Sequence, residues 1–164
     1  LVYATQRVGV DRQTVLNGIL IASAAALFAI PLFGALSDRW GRRPVYLFGA
    51  VFTGLFAYPL FWLLDSGSAV LIWLALTIAL VFAHAPMYGP QAALLAELFG
   101  TRVRYSGASL GAQLASVVAG GLSPFIATAL LPYGRGPLAA YVALMALITI
   151  VAVIAASETH RNEL

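Results

Sequence analysis

Cysteine and lysine are both absent from this 164-residue chain, and charged residues of any kind are scarce. Without cysteine there is no disulfide framework and no thiolate metal site. Charged residues make up only 9% of the chain, whereas a soluble globular domain carries about 25%. Too few charges remain to cover a surface that faces water, which excludes an ordinary soluble enzyme. Hydrophobic residues reach 62%, so intrinsic disorder is excluded as well.

The few charged residues divide the chain into long uncharged stretches. A helix needs about 20 residues to cross the hydrocarbon core of a bilayer, and five stretches exceed that length: 13–37, 44–64, 66–96, 105–134 and 136–157. Membrane β-barrels use alternating segments of about 10 residues instead. The pattern therefore predicts an all-α integral membrane protein with five transmembrane helices, at 14–36, 44–64, 69–96, 105–131 and 137–156.

Residues 1–6 have the composition of the end of a sixth transmembrane helix, and the chain does not begin with Met. We therefore expect a fragment of a longer protein. No signal peptide is predicted, because the first long apolar run follows Arg12 and is too long for the hydrophobic region of such a peptide.

Arginines are more frequent at one end of the predicted bundle than at the other. Six lie in the loops 38–43 and 97–104 and the tail 157–164, against three on the opposite side. The positive-inside rule places the six-arginine side in the cytoplasm. The N-terminus of the segment is then outside a cell membrane and its C-terminus inside. Orientation and lipid headgroups account for the net charge of +3, so we expect the lipid bilayer and no nucleic acid as a partner.

Polar side chains inside the predicted spans are candidates for lining a substrate cavity. His84, Tyr88 and Gln91 are spaced i, i+4 and i+7 in the third span and therefore share one helix face. Gln113 lies on a similar face of the fourth span, and Asn17 lies in the first. Hydrogen bonds between packed helices are the alternative role for these side chains.

The third, fourth and fifth spans differ in composition. Pro86, Gly89 and Pro90 predict a broken helix in the third, of the kind that lines cavities in transporters. The fourth is rich in Gly and Ser, and small residues let helices approach closely in lipid. We therefore expect the fourth span to pack closely against its neighbours. The fifth has almost no polar residue, so we expect it to face lipid.

The loop between the first two spans reads glycine, three residues, aspartate, arginine, any residue, glycine and two basic residues. The residues in these positions are Gly34, Asp38, Arg39, Gly41, Arg42 and Arg43. Gly34 permits a helix end to approach a neighbour, and Gly41 allows a tight turn. Charge pairs that form in one conformation and break in another make a two-state latch. The alternative is a set of arginines that only fixes topology.

This loop resembles the signature loop of the major facilitator superfamily, and every signature position matches. The segment 97–107 is similar to the acidic–arginine loop before helix eleven of these transporters, with Gly100 where the family form has proline. The resemblance implies that Arg104 pairs with Asp38 in the latch, with Glu97 nearby. The runs 87–91, 106–111 and 123–125 are similar to the metabolite–proton symporters, a branch that carries shikimate, 2-oxoglutarate, citrate, or proline and betaine.

The resemblance implies that residues 1–164 are the C-terminal half of a twelve-helix major facilitator transporter. Residues 1–6 would be the end of helix seven, and the five spans helices eight to twelve. The implied function is secondary active transport by alternating access. The expected partners are a small organic acid or zwitterionic metabolite, protons, and the missing N-terminal half.

No acidic residue lies inside a predicted span, so the proton carrier is either His84 or a residue of the missing half. His84 lies in the middle of a span and His160 in the C-terminal tail, too far apart to converge on one site. We therefore expect no catalytic residue, cofactor or metal. The alternatives to a transporter are an inert fragment, or a structural subunit or channel, although a subunit or channel has no need for the Asp38 motif.

Overall fold

The computed structural model describes residues 1–97 and 104–155, except for the side chains of 104, 118 and 119. Within those ranges the chain is helical and contains no β-strand. A short π-helical turn at Tyr3–Arg7 precedes five longer helical segments. These are α1 (Arg12–Trp40), α2 (Arg42–Asp65), α3 (Ala69–Glu97), α4 (104–130) and α5 (Arg135–Ala155). Helices α1, α2, α3 and α5 each begin within two residues of the predicted span.

Four of these helices, α1, α2, α3 and α5, are long and apolar enough to cross a membrane. Helix α4 is not among them within the described residues, because its apolar part, together with the 3-10 turn that follows it, covers only Gly121–Tyr133. Glycines and serines reduce the hydropathy of its first half, Arg104–Ala115. The all-α membrane class is therefore confirmed, and the fifth crossing stays a prediction.

The ends of α1 follow from two local signals in the sequence. At the start, the Asp11 carboxylate accepts hydrogen bonds from the amides of Gln13 (2.9 Å) and Thr14 (3.2 Å), as a helix N-cap does. At the other end, Gly41 has a φ of +102° and is the only residue between α1 and α2. This left-handed conformation suits glycine and turns the chain back at once, so Arg42 lies next to the end of α1.

Helix α3 packs against both α1 and α2, and α2 also packs along α5. Gly89 lies where the backbone of α3 comes close to that of α1. A β-carbon at Gly89 would lie 2.8 Å from the Gly34 nitrogen and 2.8 Å from the Ile30 carbonyl oxygen. The close approach of a neighbouring helix to Gly34 that the sequence predicts is therefore present. On α3, a second glycine, Gly89, makes it possible.

The predicted break in α3 takes a milder form. Helix α3 continues through Pro86 and Pro90 to Glu97, but Ala79–His84 is π-helical, with the Ala85 amide donating to the Leu80 carbonyl. Proline has no amide hydrogen and cannot donate to the carbonyl four residues earlier. A wider turn ahead of Pro86 keeps the helix continuous, and such π segments are frequent at functional sites.

The close packing predicted for the fourth span is not present within the described residues, whereas the fifth has one exposed face. The described side chains of α4 are mostly exposed, and a β-carbon at Gly111, Gly120 or Gly121 would have nothing within 4 Å. Helix α4 contacts mainly its chain neighbours, α3 and α5. Helix α5 buries one face, which includes Ala139 and Ala146, because alanines let it lie close to α2. Only its opposite face is free for lipid.

A substitution at Gly89 tests the close approach of α1 and α3. Gly89→Ala places a methyl group against the backbone of α1, and we expect overpacking to cost about 1–3 kcal/mol. The matched control is Gly54→Ala in α2, whose β-carbon would meet Ala146 at an ordinary 3.5 Å. The measurement is thermal unfolding of the purified protein in detergent. Equal midpoints for the two variants would contradict the packing described for Gly89.

Candidate functional site

The guanidinium of Arg42 joins three helices at one end of the bundle. It donates to Asp38 at the end of α1 and, through Nε, to the Glu97 Oε1 at the end of α3 (3.4 Å). The Arg42 side chain is only 18% exposed, whereas that of Asp38 is 61% exposed. A half-buried arginine shared by two carboxylates is a charge network rather than a single surface ion pair, and such networks are worth more than isolated pairs.

Ser37 is part of this network, although it is not among the residues predicted from the sequence. It is fully buried, donates its hydroxyl to the Gly34 carbonyl (2.7 Å) and accepts a hydrogen bond from Arg42 Nη1 (2.9 Å). The serine thereby fixes the direction of the arginine. Its position one helical turn after Gly34 and beside Asp38 is the sequence signal that could have identified it.

Arg43 also forms a contact between helices. Its guanidinium donates to the backbone carbonyl of Ile154 in the last turn of α5. The last carbonyls of a helix lack partners within the helix, and arginine side chains commonly satisfy them. Together, Arg42 and Arg43 connect the start of α2 to the ends of α1, α3 and α5. Arg39, which is also predicted to belong to the latch, is exposed in the last turn of α1.

Asp38, for which Arg104 is the predicted partner, is bonded to Arg42 instead. The structure describes the helical backbone of residue 104, but its side chain and residues 98–103 lie outside the described part. The Asp38–Arg104 pair therefore stays a prediction. The contact that the structure does describe lies within the signature loop, between residues four positions apart.

The cavity candidates of α3 lie on an open face of that helix. His84 is the last residue of the π segment, and its ring stacks on that of Tyr88 with centroids 5.1 Å apart. Both side chains are exposed, and Gln91, one turn further on, is half-buried. The predicted shared face is thus present, and two of its three residues are in direct contact.

The two remaining candidates lie on other helices. Asn17 is exposed on α1 and accepts a hydrogen bond from Gln13 (3.0 Å) in the preceding turn. Gln113 is exposed on α4, where its backbone carbonyl accepts from Ser116 (3.0 Å). Both side chains face outward from the described bundle. Among the described residues, no group of three His, Asp or Glu side chains is arranged to hold a metal ion.

A second charge cluster lies at the opposite end of the helices. Asp65 accepts hydrogen bonds from the Tyr3 hydroxyl (2.5 Å) and from Arg135 (3.0 Å). The polar contacts at the helix ends therefore form two groups. Residues 38–43, 97 and 154 meet at one end, and residues 3, 65 and 135 meet at the other. This is the alternation that antiparallel crossings require.

The whole chain matches a known family of membrane proteins. Residues 2–164 match the model of the family described as "Sugar (and other) transporter". The chain belongs to this family. The resemblance of the signature loop to the major facilitator superfamily is thereby confirmed, as is the expectation of an integral membrane protein that is not an enzyme, since the family and its relatives are named as transporters.

Individual members of the sugar (and other) transporter family are also similar to the chain. It is 40% identical to the shikimate transporter of Escherichia coli over 82% of this chain and 31% of that protein. It is 34% identical to the citrate–proton symporter of Klebsiella pneumoniae over 70% of this chain and 26% of that protein. Identity to the proline/betaine transporter of Escherichia coli is 32%, over 90% of this chain and 30% of that protein.

The chain spans less than a third of the length of these three relatives. No solved structure matches it.

Ser37 gives a direct test of the charge network. Ser37→Ala removes a buried acceptor from Arg42, and since hydrogen bonds to charged groups contribute about 1.5–3 kcal/mol, we expect a loss of stability of that order. The control is Ser66→Ala, because Ser66 donates to the carbonyl three residues earlier in the same way (2.6 Å) but is exposed and bonds no arginine. Thermal unfolding in detergent measures both, and similar midpoints would exclude a stabilising role for Ser37.

Proposed function

We propose that this chain is the C-terminal half of a major facilitator transporter that carries a small organic acid or zwitterionic metabolite together with protons. Residues 1–6 are then the end of helix seven, and α1–α5 are helices eight to twelve, with α4 as a fifth crossing. The observation that carries the proposal is the Arg42 contact, which joins Asp38 in the signature loop to Glu97 in the second characteristic loop.

The mechanism proposed is alternating access, with the Arg42 network as its latch. Secondary transporters of this type move two halves about a central site. A side chain that bonds the ends of α1 and α3 stabilises one relative position of those helices. Because Asp38 is largely exposed and Arg42 also bonds Glu97, the Asp38–Arg42 pair can open without leaving a buried charge unpaired. Gly34, Arg39, Gly41, Arg43 and Arg104 complete the proposed latch.

The proposed substrate cavity lies on the open face of α3. His84, Tyr88 and Gln91 share this face, and Asn17 and Gln113 are offered by α1 and α4. In a membrane, exposed polar side chains are expected to face a water-filled cavity rather than lipid. The π segment that ends at His84 supports this placement, since such segments are frequent at functional sites.

The substrate class is taken from the named relatives, which carry shikimate, citrate with protons, or proline and betaine. All are small carboxylates or zwitterions. The proton carrier is assigned to the N-terminal half, with His84 as the second candidate, because an imidazole exchanges protons in the physiological range. The protein is proposed to lie in the inner membrane of a bacterium, with residue 1 outside and residue 164 in the cytoplasm.

Uptake by the full-length transporter in vesicles tests this function. The panel is radiolabelled shikimate, citrate, 2-oxoglutarate, proline and betaine, at an acidic and a neutral external pH. We expect accumulation of at least one compound, faster at acidic pH, and abolished by a protonophore. No accumulation of any of these compounds would overturn the proposed substrate class. Accumulation that is unchanged by pH and by the protonophore would overturn proton coupling.

Asp38→Asn tests the latch. The amide keeps the shape of the carboxylate but loses its charge, so we expect turnover to fall about tenfold, equivalent to about 1.4 kcal/mol. The protein should still insert into the membrane. Asp11→Asn is the matched control, because Asn caps helices as well as Asp and Asp11 contacts only backbone amides. The initial uptake rate per inserted molecule is measured, and equal rates for both variants would refute the latch.

His84→Ala tests the cavity. Loss of the imidazole should raise the KM of uptake about tenfold if it contacts the substrate, since one hydrogen bond to a charged group is worth about 1.5 kcal/mol. It should abolish the pH dependence if it carries the proton. Leu74→Ala, at another exposed position of α3, is expected to leave both quantities unchanged. An unaltered KM together with an unaltered pH profile in His84→Ala would remove this residue from the site.

A further inference from the structure

The Asp65 end of the bundle contains a polar cavity that the proposed transport cycle does not use. Tyr3, Arg7, Val8, Asp65 and Arg135 line a space of about 450 Å³. Both oxygens of the Asp65 carboxylate are engaged, one by the Tyr3 hydroxyl and the other by Arg135. Hydrogen bonds between the start of the chain, α2 and α5 therefore connect three of the residues that line the cavity.

This cavity has an excess of positive charge. Two guanidinium groups face one carboxylate, which gives a net charge of 2 − 1 = +1. Arg7 is exposed, and no acidic side chain pairs with it within residues 1–97 and 104–155. A β-carbon at Gly134 would lie 3.6 Å from Arg7 Nη2, so Arg7 approaches the residue next to Arg135. Two neighbouring guanidiniums with one paired carboxylate favour an anion as the occupant.

An apolar pocket adjoins the polar cavity and shares two of its residues. It has a volume of about 300 Å³ and is lined by Trp62, Leu63, Ser66 and Leu71 together with Asp65 and Arg135. Trp62 is 65% exposed, and Tyr133, two residues before Arg135, is 76% exposed. Tryptophan and tyrosine concentrate at the membrane–water interface. Arg135 therefore lies between a charged space and an apolar one, at the depth where lipid headgroups lie.

We propose that these two adjoining spaces, the Asp65 lipid site, bind one anionic phospholipid. Its phosphate contacts Arg7 and Arg135 in the polar cavity, and its glycerol backbone and upper acyl chain cover Trp62 and Leu71. A free anion would fill only the polar cavity and leave the apolar pocket exposed. Basic pockets between transmembrane helices bind anionic headgroups on the cytoplasmic side of membranes, and the same charge-assisted hydrogen bonding applies to a phosphate at this opposite end.

The test uses the full-length protein in detergent, titrated with phosphatidylglycerol and followed by thermal unfolding to obtain an apparent Kd. The substitution is Arg7→Gln, because Arg7 has no ion pair within the described residues and its loss leaves the Asp65 bonds intact. One basic residue near a lipid surface contributes about 1 kcal/mol, so we expect an apparent Kd about fivefold higher. Trp62→Ala should also weaken binding. Arg12→Gln should not; Arg12 is an exposed arginine at the start of α1, at the same end of the bundle.

Three results would overturn the site. Equal stabilisation by phosphatidylglycerol and phosphatidylcholine would show that the headgroup charge is not recognised. Competition by glycerol phosphate at the same concentration as the lipid, with Trp62→Ala unaffected, would assign the cavity to a free anion. Equal losses of phosphatidylglycerol affinity in Arg7→Gln and Arg12→Gln would show that the lipid responds to general surface charge and not to this site. These measurements involve no transport, so they remain decisive whether or not the proposed substrates are carried.

Discussion

Two consecutive arginines connect four helices at one end of this protein. Arg42 bonds the end of α1 and the end of α3, and Arg43 bonds the last turn of α5, while both begin α2. The arrangement depends on Gly41, whose positive φ places the start of α2 directly beside the end of α1. A longer connection would carry the guanidiniums away from Ser37 and Asp38. The charged loop is thus part of the packing of the bundle as well as a mark of its topology.

Inside the membrane the helices associate by shape, because apolar side chains gain nothing from leaving lipid for one another. Gly89 against the backbone of α1, and Gly49 against Ala83 on α3, allow approaches that a methyl group would block. These contacts fix α3 between α1 and α2. The Asp65 bonds join α2 and α5 to the start of the chain at the opposite end, so charged side chains connect α2 to α5 at both ends, with small residues between them.

The sequence predicted the helices well because charges are almost absent from their interiors, and a bilayer forces each long apolar run to be helical. It predicted the residues of the charge network less completely. Asp38 and Glu97 are in it, but whether Arg42 or Arg104 bonds Asp38 depends on side-chain directions that spacing does not encode. The break predicted at Pro86, Gly89 and Pro90 is replaced by a π segment that ends at His84, since a proline pattern shows where α-helical bonding fails and not how the backbone restores it.

Helix α4 contradicts the expectation of close packing in an informative way. Leu110, Leu114, Leu122 and Phe125 are exposed, as a lipid-facing helix requires, yet its glycines at 111, 120 and 121 have open space around them too. Glycine gives no advantage against fluid acyl chains and lowers helix stability. It is useful only where another helix lies close. Since the described residues supply no such helix, the small residues of α4 are best explained by contact with the proposed N-terminal half, and Gln113 would then face the substrate path between the halves.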